Sequence, residues 1–273
     1  MTPSEWRPLG AIPGKQLAPA RVEAHYALQV LAAAATASIE ARPDDSHQAS
    51  DWQPERESLV TQLLGSHRMG LRLRDLTLQW IEEDMFVESE FALPGRSLDE
   101  AMAWARSALG ASEALVRPSY DLPDHALAHG EMFSLGLDAA LTELALWYDD
   151  AHALLTRFAE DSGRGAPVRC WPHHFDMACL LPESEQRSIS LGMSPGDAHV
   201  AEPYLYVTPW PRPKTIDPLP TLPPGASWHT ESWFGALLPA SALATTREAS
   251  AQATRAEEFL TQATAACRNL LRG

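Results

Sequence analysis

The chain has 273 residues, 45% of them hydrophobic, enough to bury the core of one large domain or two small ones and too many for a chain disordered throughout. Acidic residues outnumber basic ones by 36 to 21, and the formal charge of -15 repels phosphate backbones and anionic lipid surfaces, so neither nucleic acid nor a membrane is expected as a partner. The three cysteines, Cys170, Cys179 and Cys267, form no C-x-x-C pair and suit a reducing, cytoplasmic compartment better than a disulfide framework.

In chain order, "LAPARVEAHYALQVLAAAATASIEA" is Ala-rich and predicts a first helix ending at Arg42-Pro43, because proline disfavours helix in the residue before it. Its apolar run, "ALQVLAAAATASI", is 13 residues, short of the roughly 20 that cross a bilayer. A signal peptide is disfavoured by the late start of the run and by Glu23, His25 and Gln29 in or beside it. "RPDDSHQASDWQPERES" is polar and reads as a solvated loop. "SLVTQLL", "GLRLRDLTLQWIEE" and "MFVESEFAL" alternate apolar and polar positions and predict strands, with turns at "GSHRMG" and "EEDM". "SLDEAMAWARSALG" predicts a helix capped by Ser97 with Glu100 three residues on, closed by Gly110.

The same order then recurs. "SLGLDAALTELALWYDDAHALLTRFAEDSG" spaces apolar residues at helical intervals and closes on glycine. "PVRCWPHHFDMACLL", "SISLGMS", "PYLYVTPW" and "WFGALLP" predict strands, and "TREASAQATRAEEFLTQATAACRNLLRG" a terminal helix. The expected fold is α+β, with mainly antiparallel sheets and long helices. It is read as a single domain over 1–273, open to division into two pseudo-repeat halves, 15–112 and 125–273, without a residue-level repeat. Seven prolines between Pro209 and Pro224 keep that linker out of helix and central strand, and predict an extended strap rather than a disordered proline-rich ligand.

Gly192-Met193-Ser194-Pro195-Gly196 spells G-x-S-x-G, the pattern of a hydrolase nucleophile elbow, and Asp197 and His229 come after it in the matching order. The elbow needs a backbone N–H on the residue after the serine, and here that residue is proline; the stretch beyond Gly196 reads as a loop into a strand rather than a helix. A turn is the better expectation, with Pro195 fixing φ and Asp197 bonding its own backbone.

Several segments together resemble an uncharacterised bacterial family, a domain of unknown function. They are F-D-[LIM]-A at Phe175-Asp176-Met177-Ala178, a glycine-aspartate turn at Gly192, Gly196 and Asp197, a P-x-Y-x-Y-like strand at Pro203, Tyr204 and Tyr206 after Glu202, and W-H-x-E at Trp228, His229 and Glu231 before Leu238-Pro239. His25 to Gln29 resembles that family's H-x-x-x-Q helix. The sequence departs from the pattern at Ala240, where the family carries tyrosine, and in the pair His173-His174. The resemblance implies a shared fold and no particular activity.

With "WPHHFDMACLL" taken as a strand, Trp171, His173, Phe175 and Met177 share one face and His174, Asp176 and Ala178 the other. His174 with Asp176 and His229 with Glu231 then pair imidazole with carboxylate, a ligand set for zinc, iron or manganese, and Glu202 joins them as a third segment. No H-E-x-x-H, P-loop or G-x-G-x-x-G supports a named chemistry, and Cys170 and Cys179 lie in apolar sequence where thiols are inert. Trp171, Tyr204, Tyr206, Trp210, Trp228 and Trp233 concentrate in one third of the chain and suit the lining of a small-ligand pocket. Two expectations therefore stand together: a small-molecule-binding domain, open to being an enzyme, at His174, Asp176, Glu202, Tyr204, His229 and Glu231, with a divalent metal as one option; or a non-catalytic structural or interaction protein in which these groups hold the strap.

Overall fold

The computed structural model describes residues 6–214 and 216–272, and Thr215 in the strap lies outside them. Its elements divide into two units, Leu17–Ala145 with Arg169–Phe175, and Met1–Gln16 with Leu146–Val168 and Asp176–Gly273.

The first unit is built on α1 (Ala18–Ser38), whose residues from Ala24 to Ala35 are buried without interruption. Such a helix forms a core rather than covering one. It stops at Ser38, short of the expected Arg42-Pro43, because its buried stretch ends at Ala35 and the exposed residues beyond have no packed face to hold them. Strands β1 (Asp51–Gln53), β2 (Ser58–Val60), β3 (His67–Arg72), β4 (Thr77–Glu82) and β5 (Val87–Ala92) form an antiparallel meander in chain order. The turn between β3 and β4 runs over Leu73–Leu76 without glycine or proline, Leu76 taking φ 48, so the continuous alternation there hid a chain reversal.

Residues 46–50, expected to be solvated, are buried. Hydrogen bonds hold this segment: the Arg42 amide donates to His47 Nδ1 at 3.2 Å, and Ser50 exchanges two backbone bonds with the distant Cys170 at 3.0 and 2.8 Å. The helix α2 (Leu98–Leu109) carries the capping box expected from Ser97 and Glu100, and Gly110 closes it at φ 64.

The helix α3 (Asp138–Asp161) begins in the first unit and continues in the second. After it, β6 (Arg169–Trp171) returns to the first unit beside β1.

In the second unit β7 (Asp176–Ser184), β8 (Arg187–Ser194) and β9 (Tyr204–Trp210) form an antiparallel meander, and β11 (Gly235–Pro239) separates β9 from β10 (Ser227–His229). A single turn, α4 (Ala240–Leu243), leads to α5 (Ala249–Arg272), which packs on β8, β9 and β11. Register places Met177, Met193 and Leu205 in one row, and Cys179, Leu191 and Val207 in the next. All are buried on the face where the Cys267 thiol meets the Val207 carbonyl at 3.8 Å. Burial pushes the Cys179 and Cys267 thiols up to about 12, as expected of inert core cysteines.

The fold is α+β with antiparallel sheets. Helix, strands, helix occurs twice along the chain, and residues 169–175, within the second run, belong to the first unit. Among its described residues the proline strap between β9 and β10 has no helix or strand, and it is fastened by Trp228 Nε1 donating to the Pro220 carbonyl at 2.8 Å.

Candidate functional site

The second unit's sheet has a polar face opposite the row facing α5. Register aligns Ala178, Gly192, Tyr206 and Leu237 across four strands, with Ser194 and Tyr204 in the neighbouring row. Two glycines make room there. A Cβ on Gly192 would lie 2.4 Å from the Tyr206 ring, and one on Gly235 would lie 2.6 Å from Trp233, so each ring lies over a bare backbone. Trp233 stacks on Tyr204 at 6.2 Å and on His229 at 4.6 Å, and meets Tyr206 edge-on at 6.3 Å.

Carboxylates anchor the phenols. Tyr206 donates its hydroxyl to Asp176 Oδ2, and Tyr204 donates to Asp197 Oδ2 at 2.6 Å. Burial first, and the Asp176 charge second, hold the Tyr206 phenol well above its usual range; burial and the bond to Asp197 do the same for Tyr204. Both tyrosines therefore stay protonated donors at neutral pH. Asp197 is occupied by the turn it builds, because its Oδ1 also accepts from the His199 and Val200 amides at 2.6 and 2.8 Å.

The G-x-S-x-G segment forms the expected turn. Gly196 takes φ 106 and its amide donates to Ser194 Oγ at 3.2 Å, and a loop rather than a helix comes next. His229 bonds Ser232 Oγ at 3.0 Å, and Asp197 bonds Tyr204 rather than His229, so Ser194, Asp197 and His229 do not form a relay.

Of the six candidates, Asp176, Tyr204 and His229 belong to the ring assembly of the polar face. Glu202 is engaged elsewhere, accepting from the Ser241 amide and hydroxyl at 2.7 and 2.9 Å where α4 begins. Glu231 is exposed in the turn between β10 and β11. His174 is exposed in the first unit. Among the described residues no three His, Cys, Asp or Glu side chains gather as ligands of one ion.

The placement of His174 corrects the reading of "WPHHFDMACLL" as one strand. Residues 172–175 form a turn, in which the Phe175 amide donates to the Trp171 carbonyl at 2.8 Å and Phe175 takes φ 56. The alternation therefore holds from Asp176 onward and fails before it. A buried, non-glycine residue at positive φ is costly and must be held by its surroundings. Here His25 stacks on Phe175 at 5.5 Å, and His25 Nε2 and Gln29 Nε2 both donate to the Pro172 carbonyl, at 2.8 and 2.9 Å. The H-x-x-x-Q spacing thus puts two donors one helical turn apart on a single acceptor. Burial, against the bond to Pro172 and with the neighbouring His174, Arg21 and His173 charges, lowers the His25 pKa to about 4, so its ring is neutral at pH 7.

The sequence named Tyr206 in the P-x-Y-x-Y-like strand and in an aromatic cluster, and Trp233 in the cluster alone. Period two on β9 could have paired Tyr206 with Tyr204, but the two glycine seats depend on which strands are neighbours, and no local pattern reports that. Compared with protein-family models, curated proteins and solved structures, the chain matches none of them.

Proposed function

We propose that the protein binds a small organic molecule bearing an amine on the polar face of the second unit, and that it shares this fold with the bacterial family its motifs resemble. The observation that carries the reading is the Asp176–Tyr206 pair set among the rings of Trp233, Tyr204 and His229, with Tyr206 and Trp233 seated over glycines. Aromatic faces attract a cation, and a carboxylate held by a phenol supplies an oriented acceptor for it. The acidic charge of the whole chain adds a long-range pull of the same sign. The same carboxylate could accept a proton from a bound ligand, with Tyr206 as its positioning partner.

Benzylamine and the neutral benzyl alcohol distinguish this reading from a purely structural role. Benzylamine should raise the melting temperature of the full chain and benzyl alcohol should not. Asp176→Asn should abolish the shift and Trp233→Ala should reduce it. Equal responses to both compounds, or none, would leave the Tyr204–Asp197 and Glu202–Ser241 bonds as ties between loop and sheet and nothing more.

A further inference from the structure

In the first unit a groove of about 490 Å³ runs between α2 and the irregular segment that comes after it. One wall is a single stripe of the helix: Leu98 and Met102 with Asp99 and Arg106. The facing wall includes Leu115, Val116 and Arg117, and Leu127 is buried beside it. Val116 is 76% exposed, an apolar side chain on a groove lip with nothing over it. The volume falls within the range of small-ligand sites, roughly 300–1,000 Å³.

Charge gives the groove a direction. Asp99 lies in the first turn of α2, beside the buried Leu98, and Arg106 in its last, about 10 Å farther along the axis at roughly 1.5 Å per residue. Arg96 just before the helix is paired with Glu100 at 3.1 Å, whereas Arg106 and Arg117 make no side-chain hydrogen bond or ion pair among the described residues. On a chain of charge -15, two such guanidinium groups on an apolar groove are a local reversal of sign.

We infer that this groove binds a small amphipathic carboxylate, its alkyl chain along Leu98, Met102 and Leu115 and its carboxylate toward Arg106, with Arg117 adding positive charge from the facing wall. The alkyl chain would gain by leaving water, and a planar guanidinium matches a carboxylate in shape and charge. In the wall opposite α2, residues 114–117 have no helix or strand and Leu127 and Ala128 lie in a short 3-10 helix (Ala126–His129); the segment between is fastened from within the unit by the Tyr26 hydroxyl, donating to the Pro123 carbonyl at 2.8 Å, and by the Tyr120 hydroxyl on Gln48.

The test is a titration of the ¹⁵N-labelled full chain with sodium octanoate, and with 1-octanol at the same concentrations, monitored by amide shifts. Octanoate should shift the amides of residues 98–106 and 114–117 saturably, and octanol should bind them about tenfold more weakly. Combining Arg106→Gln with Arg117→Gln should weaken octanoate about tenfold while the spectrum keeps its dispersion. Arg164→Gln, an exposed arginine of the other unit, should leave the affinity unchanged, as should Trp233→Ala, which separates this groove from the amine site. Absence of saturable shifts in these segments, equal affinity for octanol, or an undiminished double variant would each overturn the inference.

Discussion

His25 shows how much a single side chain can report about its unit. It sits at 6% exposure on α1, stacked on Phe175 and bonded to the Pro172 carbonyl, with Arg21, His173 and His174 near enough to oppose its charge. An unfolded histidine titrates near 6.5 and this one near 4, so between those values the unfolded chain holds more protons than the folded one. The stabilising contribution is complete above pH 6.5 and is lost as the pH falls toward 4, up to about 3 kcal/mol in all. Urea unfolding at pH 7 and pH 5 should show a loss of about 2 kcal/mol from this group, and His25→Gln should flatten that slope. A variant whose stability falls as steeply as the parent's between those two pH values would mean that the ring is not kept neutral by burial. Gln29, fully buried beside it, leaves its Oε1 without a hydrogen-bond partner, so the pair of donors on Pro172 is held at a cost to the fold.

At the scale of elements, the polar sheet face depends on a side chain that is not there. Gly192 faces Tyr206 across β8 and β9, and the tyrosine ring occupies the space a side chain would take. Gly192→Ala should displace that ring, strain the bond to Asp176 and cost roughly 1–3 kcal/mol, the usual range for overpacking. Its melting temperature should fall well below that of Ala178→Gly, the neighbouring position of the same row, and equal values for the two variants would contradict the crowding argument.

Elements also show which parts of this structure were legible in the sequence. The α2 cap was readable because Ser97, Glu100 and Gly110 act through local backbone geometry, and the strap from Pro211 onward because proline disfavours both ladders and helices, whereas Pro209 lies within β9 opposite Ile189. The turn at 172–175 was not, because Phe175 takes its left-handed conformation against its own preference, held by His25 and Gln29 from a helix some 150 residues earlier. The buried segment 46–50 was misread for a related reason: its polar composition matched a solvated loop, while its hydrogen-bond partners include Cys170, far along the chain. Of the candidate site, Asp176 and His229 were singled out by period-two spacing, and Tyr204 by the P-x-Y-x-Y-like strand and the aromatic cluster. His174 was lost with the strand that was supposed to present it, and Glu202 with the Ser241 bonds that no pattern announces.

For the whole molecule, the division of the chain makes a specific demand on folding. The first unit takes Leu17–Ala145 as one run and then needs Arg169–Phe175, which arrives only after α3. Those seven residues bring two fully buried side chains, Cys170 and Phe175, the backbone partner of Ser50, and the carbonyl on which His25 and Gln29 both close. Losing a buried aromatic costs about 3–5 kcal/mol and each donor left without a partner about 1–3 more, together comparable with the roughly 5–15 kcal/mol that stabilises a typical domain. A fragment of residues 17–145 also cuts α3 after its first eight residues, too short a helix to persist without its packing. Such a fragment should therefore lack a cooperative thermal transition and a near-ultraviolet signal from Trp52, Trp80 and Trp104, whereas residues 17–175, which restore both α3 and the returning segment, should recover them. Cooperative melting of 17–145 alone would show that the returning segment is an accessory to this unit rather than part of its core.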